Sequence, residues 1–361
     1  MKEDIERVVL QSVESIGKKI NLTDLPVEVE VDIPKRKEFG DFSINTAMVL
    51  ARKMGRNPRQ VAELIIENLP GEKDLLFRKV EIAGAGFINF FVREEAIVNK
   101  LGDIRGLGER FGTSDLGKGL SVLVEFVSAN PTGYLHMGHA RNAVVGDTIS
   151  NILSASGYKV TKEFYINDAG RQMELLGESV FARYMELFGK EAQIPEDGYK
   201  GDYIKEIASE IKELEGDSLL NKPRDESLAF VREFAREKLL GFIKKDLADI
   251  GIDFGVWYSE KEHIHGYGGN GPGPGKLGEI KNRLADRGAL EEKDGALWFA
   301  ASRYGDTQDW VLVKSDGSPT YFLADIAYHV DKFERGFQSL INVWGADHHG
   351  HVSRLKAALR A

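Results

Sequence analysis

The amino-acid sequence predicts an α/β protein in which a doubly wound parallel sheet is preceded by a small α+β domain. The apolar run Val122–Val127 suits a buried parallel strand, and a polar, glycine-bearing loop follows it. A helical pattern then opens near His139, and Tyr158–Ile166 resumes as a strand. This order of strand, helix and strand is typical of a mononucleotide-binding unit, in which ligands lie beyond the carboxyl ends of the strands.

The first 110 residues carry a different pattern, in which short helices and short strands are mixed. We expect helices at about Glu3–Ile16, Asn45–Met54 and Pro58–Leu69, and strands at Val27–Ile33, Lys79–Ile82 and Phe87–Val92. The glycine-bearing residues Leu107–Gly117 then indicate a connector. The sequence therefore predicts domains at 1–110 and 111–361.

The helix that opens near His139 is expected to bury one apolar stripe. Its members would be Ala140, Ala143, Val144, Ile149, Ile152 and Leu153. From residue 173 to residue 312 we expect a connective segment inserted into the sheet, mostly helical over Leu175–Ile250. The remaining expected elements are strands at Ala296–Phe299, Trp310–Val313 and Leu340–Trp344, with a turn at Lys314–Ser318.

Composition excludes several classes of protein. The chain has no cysteine, which excludes disulfides, thiolate zinc sites and a cysteine nucleophile. No apolar run approaches the roughly 20 residues that span a bilayer, and the first residues are not a secretory signal, so we expect a cytoplasmic protein without a membrane partner. A monomer is the expected state, although no motif in the sequence determines it. The formal net charge of −9 argues against nucleic-acid binding driven by overall charge, although a local basic face stays open.

The strongest candidate for chemistry is the segment Pro131-Thr-Gly-Tyr-Leu-His136-Met-Gly-His139. A helix N-terminus beside two imidazoles directs donors toward one anion site, and Gly138 lets a nucleotide approach the backbone. An isolated pair of histidines with this spacing would more often cap a helix or bind a metal. The strand before this segment and the helix after it favour a nucleotide site.

Several motifs resemble the arginyl-tRNA synthetase family. His136-Met-Gly-His139 resembles the His-Ile-Gly-His signature of class I aminoacyl-tRNA synthetases, and Glu125–Gly133 is similar to the arginine-specific version of its flank. Matches in the expected order continue at Tyr165–Gln172, Ser315–Asp325 and Trp344–Gly350, and Phe39–Phe42 resembles the N-terminal domain of that family. The resemblance implies a Rossmann-like catalytic domain that activates arginine with ATP and transfers it to tRNA(Arg).

The resemblance also implies where ATP binds. His136 and His139 would stabilise the charge that builds on the α-phosphate, and would not act as bases. The expected ATP-binding residues are Pro131, Thr132, Gly133, His136, Gly138, His139, Gly345, Asp347 and His348. Mg²⁺ is expected to arrive with ATP, so no metal site made of protein side chains is expected.

For arginine, the resemblance implies that Asp325 and Tyr321 hold the side chain, because a carboxylate can accept two parallel N–H bonds from a guanidinium. Glu125 is a second candidate for the same role. Taken alone, Asp325 would more often be a helix cap or a surface acid, and Tyr321 would more often be a packing residue. The substrate's amino-acid end would meet Ser128, Asn130 and Asp168, although Asn-Asp pairs such as Asn167-Asp168 also make turns.

A dense basic stretch near the N-terminus, Lys35-Arg36-Lys37, is the candidate for contact with tRNA. It is accompanied by Arg52, Lys53, Arg56 and Arg59. A charge run is usually a solvated face, and that interpretation stays open. In the family that the chain resembles, the N-terminal domain contacts the tRNA elbow.

The sequence departs from the family at two places. The Lys-Met-Ser-Lys-Ser-like loop and the anticodon-binding domain are not present, and Gly133 stands where some members carry a substitute lysine. We therefore expect a C-terminally truncated chain, for which a non-catalytic tRNA- or nucleotide-binding fragment is the alternative. His263–Gly275 has the composition of a flexible linker or insertion. Another synthetase specificity and a small-molecule adenylyltransferase are the remaining rivals.

Overall fold

The computed structural model describes residues 1–20, 28–266 and 275–361, and of Asp347 and His349 only the backbone. The expected strand residue Val27 and most of the glycine- and proline-rich stretch 266–275 therefore lie outside the described residues. Contacts between Cα atoms divide the chain into two compact units, Met1–Phe111 and Gly112–Ala361. That the two units are separate domains stays a prediction.

The first unit, over its described residues, is built of helices around an antiparallel sheet. Its helices are α1 (Lys2–Lys19), α2 (Thr46–Met54), α3 (Pro58–Glu67), α4 (Lys73–Leu76) and α5 (Glu94–Leu107). Its strands are β1 (Val31–Asp32), β2 (Phe42–Ile44), β3 (Phe77–Ala83) and β4 (Phe87–Val92), paired in the order β1-β2-β4-β3. All three pairings are antiparallel.

The apolar spacing of the sequence accounts for the core of this unit. In α1 the stripe Ile5, Val8, Val9, Val13 and Ile16 is buried, as helical periodicity predicts. Helix α3 begins with Pro58 at its first position, and the Asn57 side chain accepts the Arg59 N–H at 2.9 Å. Helix α5 was not predicted. Its apolar residues are mostly exposed and only Ala96 is buried, so the helix has no buried apolar stripe that the sequence pattern could indicate.

The second unit combines a parallel sheet, a helical segment and a small antiparallel sheet. Its helices are α6 (Met137–Ala155), α7 (Arg171–Glu186), α8 (Asp202–Glu215), α9 (Arg224–Asp249), α10 (Glu260–His263), α11 (Gly275–Asp286), α12 (Tyr321–Glu334) and α13 (His349–Arg360). Its strands are β5 (Ser121–Glu125), β6 (Lys159–Ile166), β7 (Val256–Ser259), β8 (Leu290–Lys293), β9 (Ala296–Phe299), β10 (Trp310–Val313) and β11 (Ser339–Asn342).

The parallel sheet has the strand order β11-β5-β6-β7, and each of its pairings is parallel. This confirms the predicted α/β class with a parallel sheet. Strand β7 was not predicted, because it is only four residues long and runs directly into the charged helix α10. It lies inside the range 173–312 that the sequence assigned to the connective segment, although it pairs with β6.

The predicted stripe of α6 is wrong at Val144 and Ile152, whereas Leu153 is partly buried against the core. Val144 and Ile152 are 55% and 61% exposed, and the buried residues of this helix are the small ones, Ala143, Gly146 and Ser150. The reason is close packing, since a Cβ added at Gly146 would lie 2.1 Å from Cγ of Phe126. Small side chains therefore bring α6 against the end of β5.

The region between β6 and β7 is helical, as predicted. Helices α7, α8 and α9 pack together, and α8 buries the predicted residues Ile204, Ile207 and Ile211. Strands β8, β9 and β10 form the antiparallel sheet in the order β10-β9-β8. Over the described ranges, none of the helices combines the length and apolar character needed to cross a membrane.

Candidate active site

A cavity of about 660 Å³ lies in the second unit, at the carboxyl ends of the parallel strands. Its walls come from the loops after β5, β6 and β11 and from helices α6, α12 and α13. Ligands of doubly wound sheets bind at this edge, and the volume is that of a site for a small molecule or nucleotide.

The loop after β5 is held in an unusual conformation. Val127 and Ser128 have φ values of 65° and 43°, in the left-handed region that side chains rarely adopt. The Val127 N–H donates to Oδ1 of Asn142 at 2.7 Å, and Nδ2 of Asn142 donates to the Val343 carbonyl at 2.8 Å. Asn142 thereby fixes the loops after β5 and β11 to one helix. Strained backbone of this kind clusters at functional sites.

The histidine pair stands at the N-terminus of α6. His136 is the N-cap residue, and its Nδ1 accepts the Gly138 N–H at 3.0 Å. Nδ1 of His139 accepts the N–H of His136 at 3.3 Å. Because each Nδ1 accepts a backbone N–H, Nε2 is the ring nitrogen of each histidine that is left to donate to a ligand. Burial and the neighbouring His136 lower the pKa of His139 below its ordinary value.

The other expected ATP-binding residues divide into two groups. Gly138, Gly345 and His348 line the cavity together with the histidine pair. Pro131, Thr132 and Gly133 are not among the lining residues, and the Thr132 carbonyl accepts the Tyr203 hydroxyl at 2.8 Å. The backbone of Asp347 belongs to a short 3-10 helix, and its side chain lies outside the described part of the chain.

Asp325 and Tyr321 both belong to α12, where a spacing of four residues places them on one face, and both line the cavity. The Asp325 side chain is partly buried, with 40% of its surface exposed, and its Oδ2 lies 3.9 Å from Nδ1 of His351. Burial and the charge of Glu125 raise the pKa of Asp325 to about 7, against the opposing effect of Arg354. A cationic ligand would stabilise the ionised carboxylate here.

Glu125, the last residue of β5, also lines the cavity but already has partners. Its Oε2 accepts the Lys332 ammonium at 2.6 Å and its Oε1 accepts the Ser128 hydroxyl at 3.0 Å. Burial raises the pKa of the Glu125 carboxyl, but Lys332, His329 and these hydrogen bonds outweigh it, so the pKa ends below its ordinary value. Glu125 is therefore ionised at neutral pH.

The structure brings Ser128 and Asn130 to the cavity but does not bring Asp168 there. The Asp168 carboxylate is buried and accepts the Ser259 hydroxyl at 2.8 Å and the Lys261 N–H at 2.9 Å. Nη1 of Arg236 lies 3.4 Å from the same carboxylate. The neighbouring Asn167 lines the cavity instead. Asp168 thus ties the end of β6 to the start of α10 and has little capacity left for a substrate ammonium.

Three residues that the sequence analysis did not single out belong to this site. Asn142 positions two loops, His329 lines the cavity, and Lys332 pairs with Glu125. The spacing of four from Asp325 to His329 places both on one face of α12 and could have indicated the histidine. Nothing local distinguishes Lys332 from an exposed helical lysine, because its partner is 207 residues away in the chain.

No group of three or more histidine, aspartate or glutamate side chains in the described ranges could hold a metal ion.

In the first unit, the three candidates for tRNA contact, Lys35, Arg36 and Lys37, are exposed, and Arg36 faces Glu38 at 3.4 Å. The accompanying Arg52, Arg56 and Arg59 are exposed as well. An exposed basic segment is available for phosphate contacts.

The parallel sheet, the histidine pair at a helix N-terminus and the acidic cavity beside it belong to the catalytic domain of a class I aminoacyl-tRNA synthetase, as a family match shows. Residues 109–361 match the family model described as tRNA synthetases class I (R), catalytic domain, and residues 3–92 match the arginyl tRNA synthetase N terminal domain. The chain belongs to the arginyl-tRNA synthetase family.

Relatives and solved structures agree with this assignment. The chain is 46% identical over 361 residues to the arginine–tRNA ligase of Geobacillus thermodenitrificans and 44% identical over 361 residues to that of Bacillus subtilis. Both matches cover 100% of this chain, which spans 63% and 62% of the length of those relatives. A crystal structure described as a putative arginyl-tRNA synthetase from Campylobacter jejuni matches with a TM-score of 0.65 and 35% identity, over 74% of this chain and 57% of that chain.

The arginyl-tRNA synthetase of Plasmodium falciparum matches with a TM-score of 0.63 over 99% of this chain and 61% of that chain. At 17% identity, this match supports the fold alone.

Proposed function

We propose that this chain activates arginine with ATP to give arginyl-adenylate, as the catalytic part of an arginine–tRNA ligase that transfers arginine to tRNA(Arg). The observation that carries the proposal is one cavity lined both by the histidine pair of α6 and by the acid of α12. The first feature suits a nucleotide phosphate, and the second suits a guanidinium.

The arginine side of the proposal depends on Asp325. A carboxylate whose pKa is raised to about 7 in the unliganded cavity returns to its ionised form when a permanently charged guanidinium approaches. Tyr321 stands one helical turn earlier on the same face of α12. Ser128 and Asn130, which also line the cavity, are proposed to meet the amino-acid end of the substrate.

The ATP side depends on α6. An arginine carboxylate oxygen would bond to the α-phosphorus while the bond from that phosphorus to the bridging oxygen of the β-phosphate breaks, so that pyrophosphate leaves. Nε2–H of His136 and of His139 would donate to the oxygens on which negative charge develops, with the free N–H groups of the helix end. Both rings act as donors in this scheme and neither one accepts a proton.

Mg²⁺ is proposed to enter bound to the ATP phosphates, where it would neutralise part of their charge.

Residues 1–110 are proposed to contact tRNA through Lys35, Arg36 and Lys37. Residues 111–361 would form the catalytic domain, with the connective segment at 173–312. We further propose that the chain acts as a cytoplasmic monomer, which light scattering after size-exclusion chromatography would check for the oligomeric state.

Single-turnover formation of arginyl-adenylate from labelled ATP, with and without tRNA, tests the activity. We expect adenylate from arginine and none from citrulline, whose side chain has the same shape but no charge. Asp325→Asn should weaken arginine binding by about 100-fold, because the carboxylate that pairs with the guanidinium is lost, and leave ATP binding unchanged. The matched control is Asp316→Asn, an exposed acid in the turn before α12. A chain that binds ATP and tRNA but neither binds nor activates arginine would overturn the proposal.

A further inference from the structure

Among the residues whose side chains are described, two acids line the cavity, and their electrostatic surroundings differ. The Glu125 carboxylate is compensated by the Lys332 ammonium, 2.6 Å from its Oε2. The Asp325 carboxylate faces the His351 imidazole at 3.9 Å and accepts no hydrogen bond from a lysine or arginine among the described residues. Only one of the two acids is therefore paired with a permanent cation.

Lys332 is fixed where it lies. It has no solvent exposure, and its ammonium donates to Glu125 and, at 3.0 Å, to Oδ1 of Asn342. The ring of Tyr328, with its centroid 4.0 Å from Nζ, covers the ammonium. The amide of Asn342 in turn donates to Nε2 of His329 at 2.6 Å. A fully buried lysine is uncommon, and arginine activation as proposed above makes no chemical use of it.

We propose that Lys332 is a positioning residue, which pairs with Glu125 and so leaves Asp325 as the cavity acid, among the described side chains, that has no lysine or arginine ion pair and can meet the substrate's guanidinium. This inference rests on the proposed function, because arginine is the ligand that it concerns. Two neighbouring carboxylates without a cation would share a proton, and that proton would have to leave whenever a guanidinium bound. Pairing Glu125 with Lys332 removes this competition between proton and substrate.

The groups around Asp325 determine what removal of Lys332 would do. Glu125 and Glu260 raise the pKa of Asp325, and Arg354 and Lys332 lower it. Among the residues whose side chains are described, the charged and titratable groups that line this cavity with Asp325 or act on its pKa are Glu125, His136, His139, Tyr165, Glu260, Tyr321, Tyr328, His329, Lys332, His348, His351 and Arg354. Without Lys332 the charge of Glu125 is no longer opposed from within α12.

The test is calorimetric binding of arginine between pH 6 and pH 9 to three chains, which are the unaltered chain, Lys332→Met, and the double variant Lys332→Met with Glu125→Gln. In Lys332→Met, the pH below which binding weakens should rise by about one unit. Binding at pH 6 would then be about tenfold weaker than in the unaltered chain, with little difference at pH 9. The double variant removes both charges and should return the pH dependence to that of the unaltered chain or below it.

A purely structural role for Lys332 predicts something else, namely weaker binding by the same factor at every pH and no recovery in the double variant. Either result overturns the inference. If Lys332→Met does not fold, the double variant decides alone, since its pH dependence must not move upward. An unaltered chain that binds no arginine at any pH overturns the proposed function as well. Three chains that all bind arginine with one pH dependence overturn the inference alone.

Discussion

The imidazole rings of His136 and His139 stack face to face, with their centroids 3.7 Å apart and their planes 17° from parallel. The two backbone N–H donors that hold the Nδ1 atoms impose this arrangement. Two stacked rings that expose only Nε2–H present a pair of donors to a single ligand, which is what an oxyanion requires.

The stacked pair predicts that the two amide analogues of histidine differ at position 139. Glutamine can place an amide N–H near the position of Nε2, whereas asparagine reaches only the position of Nδ1. We expect His139→Asn to reduce the rate of ATP–pyrophosphate exchange by about 100-fold or more, and His139→Gln to reduce it about tenfold less severely. Equal rates for the two variants would show that the Nε2 donor has no part in the reaction.

His329 predicts a pH-dependent contribution to stability. Burial lowers its pKa to about 4, while its Nδ1–H donates to the Asp325 carbonyl and its Nε2 accepts from Asn342. The unfolded chain binds a proton near pH 6.5 and the folded chain does not, so this residue lowers the free energy of unfolding as pH falls from 6.5 to 4. The loss should reach about 3 kcal/mol.

Urea unfolding of the unaltered chain and of His329→Gln, at pH 7 and at pH 5, measures this contribution. The raised pKa of Asp325 acts in the opposite sense over the same range, so the difference between the two chains isolates the histidine. We expect the variant to lose less stability than the unaltered chain on going to pH 5. The same loss in both chains would contradict a neutral, buried His329.

Asp168 and its neighbour Asn167 predict opposite phenotypes. Asp168→Ala removes the hydrogen bonds and the ion pair that join β6 to α10 and α9 in the interior, and should lower the free energy of unfolding by about 3 kcal/mol. At a temperature where the variant is folded, its KM for arginine should stay within about twofold of the value for the unaltered chain.

Asn167→Ala should be nearly as stable as the unaltered chain and should raise a substrate KM, because Asn167 lines the cavity. A large rise in the arginine KM of Asp168→Ala would restore its predicted role at the substrate ammonium.

The exposed basic segment of the first unit predicts salt-dependent binding of tRNA. Lys35→Glu with Lys37→Glu should weaken tRNA(Arg) binding and reduce the slope of log K against log salt by about 0.9 for each phosphate that is no longer bound. The control Lys2→Glu with Lys18→Glu makes the same change in charge on exposed positions of α1. Filter binding at several salt concentrations compares the two, and identical losses of affinity would assign the effect to net charge. Arginine-dependent pyrophosphate exchange should be unchanged in both.

The sequence predicted those elements in which local pattern and tertiary environment agree. Strands Ala296–Phe299 and Trp310–Val313 have the expected bounds, and the apolar stripe of α8 is buried as its helical spacing requires. The stripe of α6 was predicted wrongly at Val144 and Ile152, since periodicity favours large apolar residues while close packing on Phe126 selects small ones. That preference depends on a neighbour whose position the local sequence does not contain.

The same distinction applies to the site. His136 and Asp325 could be predicted to lie at one cavity because they belong to motifs that resemble those of one family, and both line it. The pairing of Glu125 with Lys332 could not be predicted, since it joins β5 to α12 across 207 residues of the chain. Whether a carboxylate is free or already paired is a property of the folded chain.

Asn142 lines the cavity and joins two of its loops, because its Oδ1 accepts the Val127 N–H and its Nδ2 donates to the Val343 carbonyl. Two loops from distant parts of the sequence are thereby fastened to one helix before any substrate arrives, and the disfavoured backbone angles at Val127 are set during folding. The entropic cost of ordering these two loops should therefore be small when a substrate binds. Replacing Asn142 with alanine should therefore slow the association of substrate, which stopped-flow measurements would detect, in addition to the loss of stability expected from two missing hydrogen bonds.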